Sequence, residues 1–461
     1  RAAFEFTYRL PRIKATALYK HYAPELMNRF FDVVAIQKGM SKILMDFSTA
    51  SIQTLFGLLL LSLYHPFFIA FSLVLVALIY FIFRLTAQRG LDTSLIESKR
   101  KYAVAHWLEE VSRTVNSFKL AGDTDLPLEK TNEAVKGYID TRDSHFKVLV
   151  NQYSLMVIFK VLVTAGLLIV GSILVMEQQM NIGQFVAAEI IILLIIGSVE
   201  KLILSLETIY DVLTSLEKVG QVTDLELESN EGIHFPDTHN GPISICMENI
   251  AFEYPNQTEP LFKGLTLNVA PGERLLITGG NGSGKNTLLH LMTGLYDISA
   301  GNLSFNSIPY RNIHPKELRS QIGDSFSHAP LFEGTLLENL TLGRPNISFI
   351  KVQELIERLE LTPFIKSLPQ GYNTLIEPGG RSFSKGVIDR LKLIRSIIDA
   401  PRLLLVDDNF GHLNPKDREI IFDYLTSPEH NWTLVIASKD ISLSRKVDRT
   451  VSIENKGLFT V

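Results

Sequence analysis

The stretch Leu276-Ile-Thr-Gly-Gly-Asn-Gly-Ser-Gly-Lys-Asn-Thr-Leu-Leu-His290 reads as a buried strand, a glycine-rich turn and the start of a helix. Glycines 279, 282 and 284 let the backbone turn tightly and present N–H groups where the helix dipole favours an anion. Lys285 adds a point charge for the outer phosphates of a nucleotide. The pattern G-x-x-x-x-G-K-[ST] departs at its last position, where Asn286 replaces the hydroxyl residue and Thr287 follows. Nucleotide binding is therefore predicted more firmly than hydrolysis.

Outward from this turn, the composition divides the chain. Its 461 residues are 46% hydrophobic, with a mean hydropathy of +0.16, so more than one domain is expected and part of the chain belongs in lipid. A net charge of −4 and the lack of a basic run with interleaved aromatics argue against a nucleic-acid partner. One cysteine, Cys246, cannot pair within the chain and is expected to be a small buried residue. The opening Arg1-Ala-Ala-Phe-Glu-Phe has neither Met nor a signal-peptide pattern and reads as a trimmed or processed start.

Residues 1–46 mix charge with helically spaced apolar positions and read as amphipathic helices outside the bilayer, interrupted by Pro11 and Pro24. Four apolar runs follow, at 45–63, 67–83, 153–176 and 182–199, each close to the ~20 residues that cross a hydrocarbon core. The turns Tyr64–Pro66 and Glu177–Asn181 carry no Lys or Arg, whereas 86–147 is rich in both, which puts that long segment in the cytoplasm. Within it, Gly122 is expected to end one helix and Pro127 to open the next. Lys160 and Glu189 lie in apolar runs and are candidates for a substrate path. The expected division is a transmembrane domain over 1–223, a linker over 224–242, and a nucleotide-binding domain over 243–461. The expected fold class is an all-α transmembrane domain followed by an α/β P-loop NTPase domain.

In the last domain, Tyr254 follows an early strand, ahead of the phosphate loop. The strand 402–408 ends in Asp407 and Asp408, where a magnesium–phosphate site needs an oxygen ligand and a water-orienting base.

Spans, linker and these motifs in this order resemble an ABC-type exporter half-transporter over nearly the whole chain. The resemblance implies ATP and Mg2+ as cofactors. Tyr254 would stack on adenine, the loop Gly279, Gly280, Asn281, Gly282, Ser283, Gly284, Lys285, Asn286 and Thr287 would hold the phosphates, and Asp407 would organise magnesium; in a site rebuilt by a specialised branch, Asn286 would offer that ion its amide oxygen. Ser384, Lys385 and Gly386 stand in the signature segment that would reach a partner's ATP. Gly122 to Asp125 resembles a coupling helix, and the four spans resemble the third to sixth of six. Departures share a direction. Asp408 replaces a glutamate, shorter by one C–C bond of ~1.5 Å, and misplacements of ~1 Å cost ~10²-fold in rate. Lys385 replaces a glycine, Lys439 the switch histidine, Asn414 the aspartate of the dimer-contact loop, and Ser327, with His328 beside it, the magnesium-sensing glutamine.

Two readings of this cluster stay open: drift in a domain freed from hydrolysis, or a site rebuilt around Lys385 and Lys439. The resemblance implies an exporter subunit of the cell (inner) membrane, its nucleotide domain cytoplasmic, pairing with a second half-transporter to move an unknown substrate. Hydrolysis is expected to be weak or dependent on that partner. The alternative is a catalytically inert, nucleotide-binding membrane scaffold or regulator.

Overall fold

A computed structural model describes residues 1–461 apart from 20, 236–240, 256, 258, 327–329, 409, 455, 456 and 461, and the side chains of 457–460. The chain forms two compact units. One comprises Arg1–Arg12 and Lys20–Leu225, the other Ile13–Tyr19 and Glu226–Val461.

Among the described residues, four helices of the first unit are long and apolar enough to cross a membrane: Ala23–Ser62, Pro66–Arg113, Leu126–Met176 and Ile182–Thr223. At 1.5 Å per residue the second is roughly 70 Å long, more than twice a ~30 Å hydrocarbon core, so each apolar run continues into polar helix. The first of them departs from the sequence reading. Residues expected to form separate amphipathic helices run on into the apolar stretch, through a π-helical turn at Ile43–Phe47. Pro24 lies in the first turn of Ala23–Met27, where no backbone bond is lost, and a turn at Asn28 and Arg29 separates that helix from Phe30–Lys42.

The hairpin turns are made by local chemistry. The His65 ring accepts from the Phe67 N–H at 3.2 Å and caps the second long helix, and Asn181 with Gln184 forms a capping box on the fourth. At 122–125 the chain forms a turn, with Gly122 at φ +72° and Pro127 opening the next helix. The expected coupling helix is thus itself non-helical, and the short helix is Val115–Leu120 just before it.

Phe68, Leu75, Phe159, Val163, Ile192, Ile195 and Val199 make the buried seam of this unit. Glycines let backbones approach: a Cβ on Gly57 would lie 2.7 Å from Ile195, and one on Gly171 2.4 Å from Phe185. Lys160, a candidate for a substrate path, pairs with Glu200 at 2.5 Å, between the third and fourth long helices.

The second unit is built on a six-stranded sheet. Its order is Gly457–Thr460, Arg449–Glu454, Arg274–Gly279, Thr433–Ala437, Leu403–Asp407, Ile322–Ser325, all parallel except the first. A four-stranded antiparallel sheet packs its Ile245, Met247, Ile250 and Phe252 into the same core as Leu275 and Ile277. Cys246, expected to be buried, is only half-buried: alternation turns its neighbours Ile245 and Met247 inward and Cys246 outward. Ile13–Tyr19, expected with the membrane part, joins this unit. Ile13 bridges Leu227, Lys14 pairs with Glu226, and the Tyr19 ring lies 5.8 Å from that of Tyr254 and 5.5 Å from that of Tyr296.

Candidate functional site

In an open parallel sheet, ligands bind beyond the carboxyl ends of the strands. Here Ile277, Ala437 and Asp407 stand abreast on adjacent strands, so the phosphate loop, Asp408 and Ser438 leave the sheet side by side. Ladder bonds continue past the strand ends, with Asp408 N–H donating to Ala437 O at 2.9 Å and Ser438 N–H to Ile277 O at 3.0 Å. A cavity of about 820 Å³ opens there, a size that suits a small-molecule ligand.

The loop takes the conformation that its glycines permit. Gly279, Gly282 and Gly284 have φ of +148°, +76° and +99°. A Cβ on Gly279 would sit 2.8 Å from Ile453 O, and one on Gly284 2.8 Å from the Phe262 ring. Lys285, the first residue of helix Lys285–Met292, curls back over the loop and donates to the carbonyls of Gly279 and Gly280, both at 2.8 Å. Burial pushes its ammonium below the usual lysine range and the Lys439 charge pushes the same way, against Asp407. Two cations thus crowd one mouth, which suits an anionic ligand. Ser283 has a buried hydroxyl with no hydrogen-bond partner among the described residues. The loop therefore fits a polyphosphate.

Asn286 Nδ2 donates to Asp407 Oδ2 at 2.8 Å. The amide nitrogen, and not the oxygen expected at a metal, faces this carboxylate. Thr287 lines the cavity with its side chain largely buried and its hydroxyl 2.7 Å from the Tyr254 phenol. Tyr254 lines the cavity beside the phosphate loop and packs edge-on against Phe252 at 4.9 Å.

Asp408 is held on both carboxylate oxygens. Its Oδ2 accepts from Arg418 at 2.8 Å and from the Ser438 hydroxyl, and its Oδ1 accepts from the Phe410 N–H at 3.1 Å. Arg418 rises from helix Pro415–Leu425, whose N-terminus is capped by Asn414. Arg418, Ser438 and Asp440 all line the cavity, yet no motif in the sequence points to them. Their one signal is position, just beyond a strand end or on the next helix.

Lys439 lines the same cavity, whereas Ser384, Lys385 and Gly386 do not. Ser384 caps helix Lys385–Ile397, its hydroxyl accepting from Val387 N–H at 3.4 Å. Ser327 and His328 lie outside the described residues.

Comparison with known proteins gives this geometry its family. The ABC transporter family matches residues 262–411, and the ABC transporter transmembrane region matches residues 14–199. The multidrug resistance protein pgp-1 of Caenorhabditis elegans is 29% identical over 46% of this chain and 16% of its own length. The beta-(1-->2)glucan export ATP-binding/permease protein NdvA of Bartonella henselae is 23% identical over 97% of this chain and 76% of its own. A solved bacterial Atm1-family ABC exporter with ATP bound shares the fold, with a TM-score of 0.87 at 18% identity, covering 99% of this chain and 80% of that one. The chain spans between about a sixth and about half of the first curated relatives it matches. With a transmembrane region and an ATP-binding region fused in one polypeptide, the chain belongs to the ABC transporter family.

Proposed function

We propose that this chain is the ATP-binding subunit of a membrane exporter and couples ATP binding to transport across the bilayer. The observation that carries the reading is the phosphate-loop cavity, with Lys285 and Lys439 at its mouth, in the same chain as four helices able to span a membrane. Lys285 and the loop N–H groups hold the phosphates, and Tyr254 stacks on the base. Asp407 and, once its amide turns over, Asn286 are the residues that would hold Mg2+, which supplies charge neutralisation at the phosphates.

The chain works as a dimer in this reading. Ser384, Lys385 and Gly386 stand away from their own chain's cavity, as residues serving a second subunit's ATP must. Hydrolysis is weak or depends on the partner, because Asp408 is short and its oxygens are engaged within the chain. In this reading the nucleotide unit lies on the cytoplasmic side of the cell (inner) membrane, which the Lys and Arg of 86–147 support for the polar ends of the long helices. The names of these relatives cite a glucan and multidrug resistance, so they single out no substrate.

The test uses the protein in lipid vesicles, with Cys246 replaced by Ser and single cysteines placed along 182–199. ATP is expected to change their labelling. Labelling unaltered by ATP, in protein that binds ATP, would instead support an inert scaffold.

A further inference from the structure

A carboxylate that orients a water and takes its proton needs a lone pair open to the cavity. Asp408 has little to spare: its Oδ2 accepts two bonds from the protein and its Oδ1 a third, and its side chain is 5% exposed. The strongest of these partners is a cation, and charge-assisted bonds exceed neutral ones. Arg418 is itself held from behind. Its Nη2 serves Asp408 at 2.8 Å, its Nη1 serves Asp440, and its guanidinium lies over the Phe422 ring. Asp440 is fixed in turn by the Ser442 N–H at 2.9 Å. The planar guanidinium fork therefore spans two carboxylates, and it cannot leave one without straining its bond to the other.

These partners come from three segments. Asp408 follows Leu403–Asp407, Ser438 and Asp440 follow Thr433–Ala437, and Arg418 stands on the first turns of Pro415–Leu425. Their convergence lines the same cavity as Lys285.

We propose that Arg418 is a positioning residue that latches Asp408, keeping this cavity in an ATP-binding state that does not hydrolyse, and that opening the latch switches hydrolysis on. The inference rests on the reading of the cavity as an ATP site. With the latch open, a water oxygen bonds to the γ-phosphorus, the bond from that phosphorus to the bridging oxygen breaks, and Asp408 receives the water's proton. ADP and inorganic phosphate result. With the latch closed, Arg418 and Ser438 occupy Oδ2, the oxygen that would take that proton.

The experiment uses the full chain in lipid vesicles. It measures affinity with a fluorescent ATP analogue, and single-turnover phosphate release from radiolabelled ATP with magnesium. Arg418→Gln is expected to speed release by at least about tenfold, a modest part of what a freed general base supplies, with affinity changed less than about threefold. Arg418→Lys, which keeps one charge but loses the fork, should fall between the two. Adding Asp408→Asn to Arg418→Gln should abolish the gain, which a merely structural role for Arg418 would not explain. Unchanged or slower release from an Arg418→Gln protein that still binds ATP overturns the latch. Should that variant fail to fold, Asp440→Asn loosens the same fork from behind and is expected to raise release several-fold; no gain there also overturns it. Wild-type protein that binds no ATP analogue overturns the ATP-site reading, and the latch with it.

Discussion

Asn286 reaches across 2.8 Å to donate its side-chain amide to the Asp407 carboxylate, tying the helix after the phosphate loop to the end of a neighbouring strand. A hydroxyl at position 286 would do two things at once, donating to Asp407 and presenting an oxygen to a cation. An amide must turn over to do the second, giving up the first. Asn286→Ser is therefore expected to enlarge the effect of Mg2+ on ATP affinity by about tenfold, or ~1.4 kcal/mol. Titrations with and without Mg2+ check it, and an equal Mg2+ effect in both proteins would show that the amide oxygen already serves.

Lys285 spends its donors on the carbonyls of Gly279 and Gly280 until a better acceptor arrives. A phosphate oxygen is that acceptor, since the contact is charged on both sides. Losing such a bond costs about 1.5–3 kcal/mol, so Lys285→Ala should weaken ATP binding by about 10- to 150-fold. Without ATP the variant should melt near the wild type, because relief from Lys439 offsets two lost bonds. A melting midpoint that falls by many degrees without ATP would mark Lys285 as structural.

What the sequence made legible here was local. The phosphate loop, Lys285 and the carboxylates ending Leu403–Asp407 are each declared within a dozen residues, because glycine φ values, helix starts and strand ends are set by near neighbours. The Asp408 contacts were not legible in this way. Arg418 and Ser438 reach it from 10 and 30 residues further on, and Asp440 holds Arg418 from behind, through a strand register and a helix face that only tertiary packing sets. The same limit explains Ile13–Tyr19. Its helical spacing matched that of the segments around it, while the bridge from Ile13 to Leu227 crosses more than two hundred residues. Cys246 was misread because small apolar character outweighed strand alternation, which the inward-facing Ile245 and Met247 decide.

Gly90 shows how tightly the long helices meet. A Cβ there would stand 2.3 Å from Cζ of Tyr210, a 2%-exposed residue of the fourth long helix whose hydroxyl accepts from Gln152 Nε2 at 2.7 Å. Second, third and fourth helices are thus joined at one ring. Gly90→Ala should lower stability by about 1–3 kcal/mol through overpacking. Combined with Tyr210→Ala, its added cost should shrink, since the atoms it strikes are gone. Unfolding midpoints in detergent for the four proteins give the cycle, and strict additivity would place the strain elsewhere.

Arg274 and Asp448 clasp the start of the phosphate-loop strand to its neighbour. Asp448 accepts from the Arg274 backbone N–H at 2.8 Å, from Nε at 3.1 Å and from Nη2 at 2.9 Å, and the Arg274 side chain holds its carboxyl below the usual carboxylate range. Because the folded value is depressed, the unfolded chain takes up this proton first as pH falls. The pair's contribution is fully present above about pH 5, begins to fade near pH 4, and is gone below the folded value. The pair is partly exposed, so its worth is held to about 0.5–1 kcal/mol, or a few degrees of melting midpoint. The gap in midpoint between wild type and Asp448→Asn should hold steady from pH 8 to about pH 5 and narrow at lower pH. Buried Trp432 reports on this unit once Trp107, the other tryptophan, is replaced by Phe. A gap that stays constant below about pH 4 would assign the loss to packing and not to the carboxylate's charge.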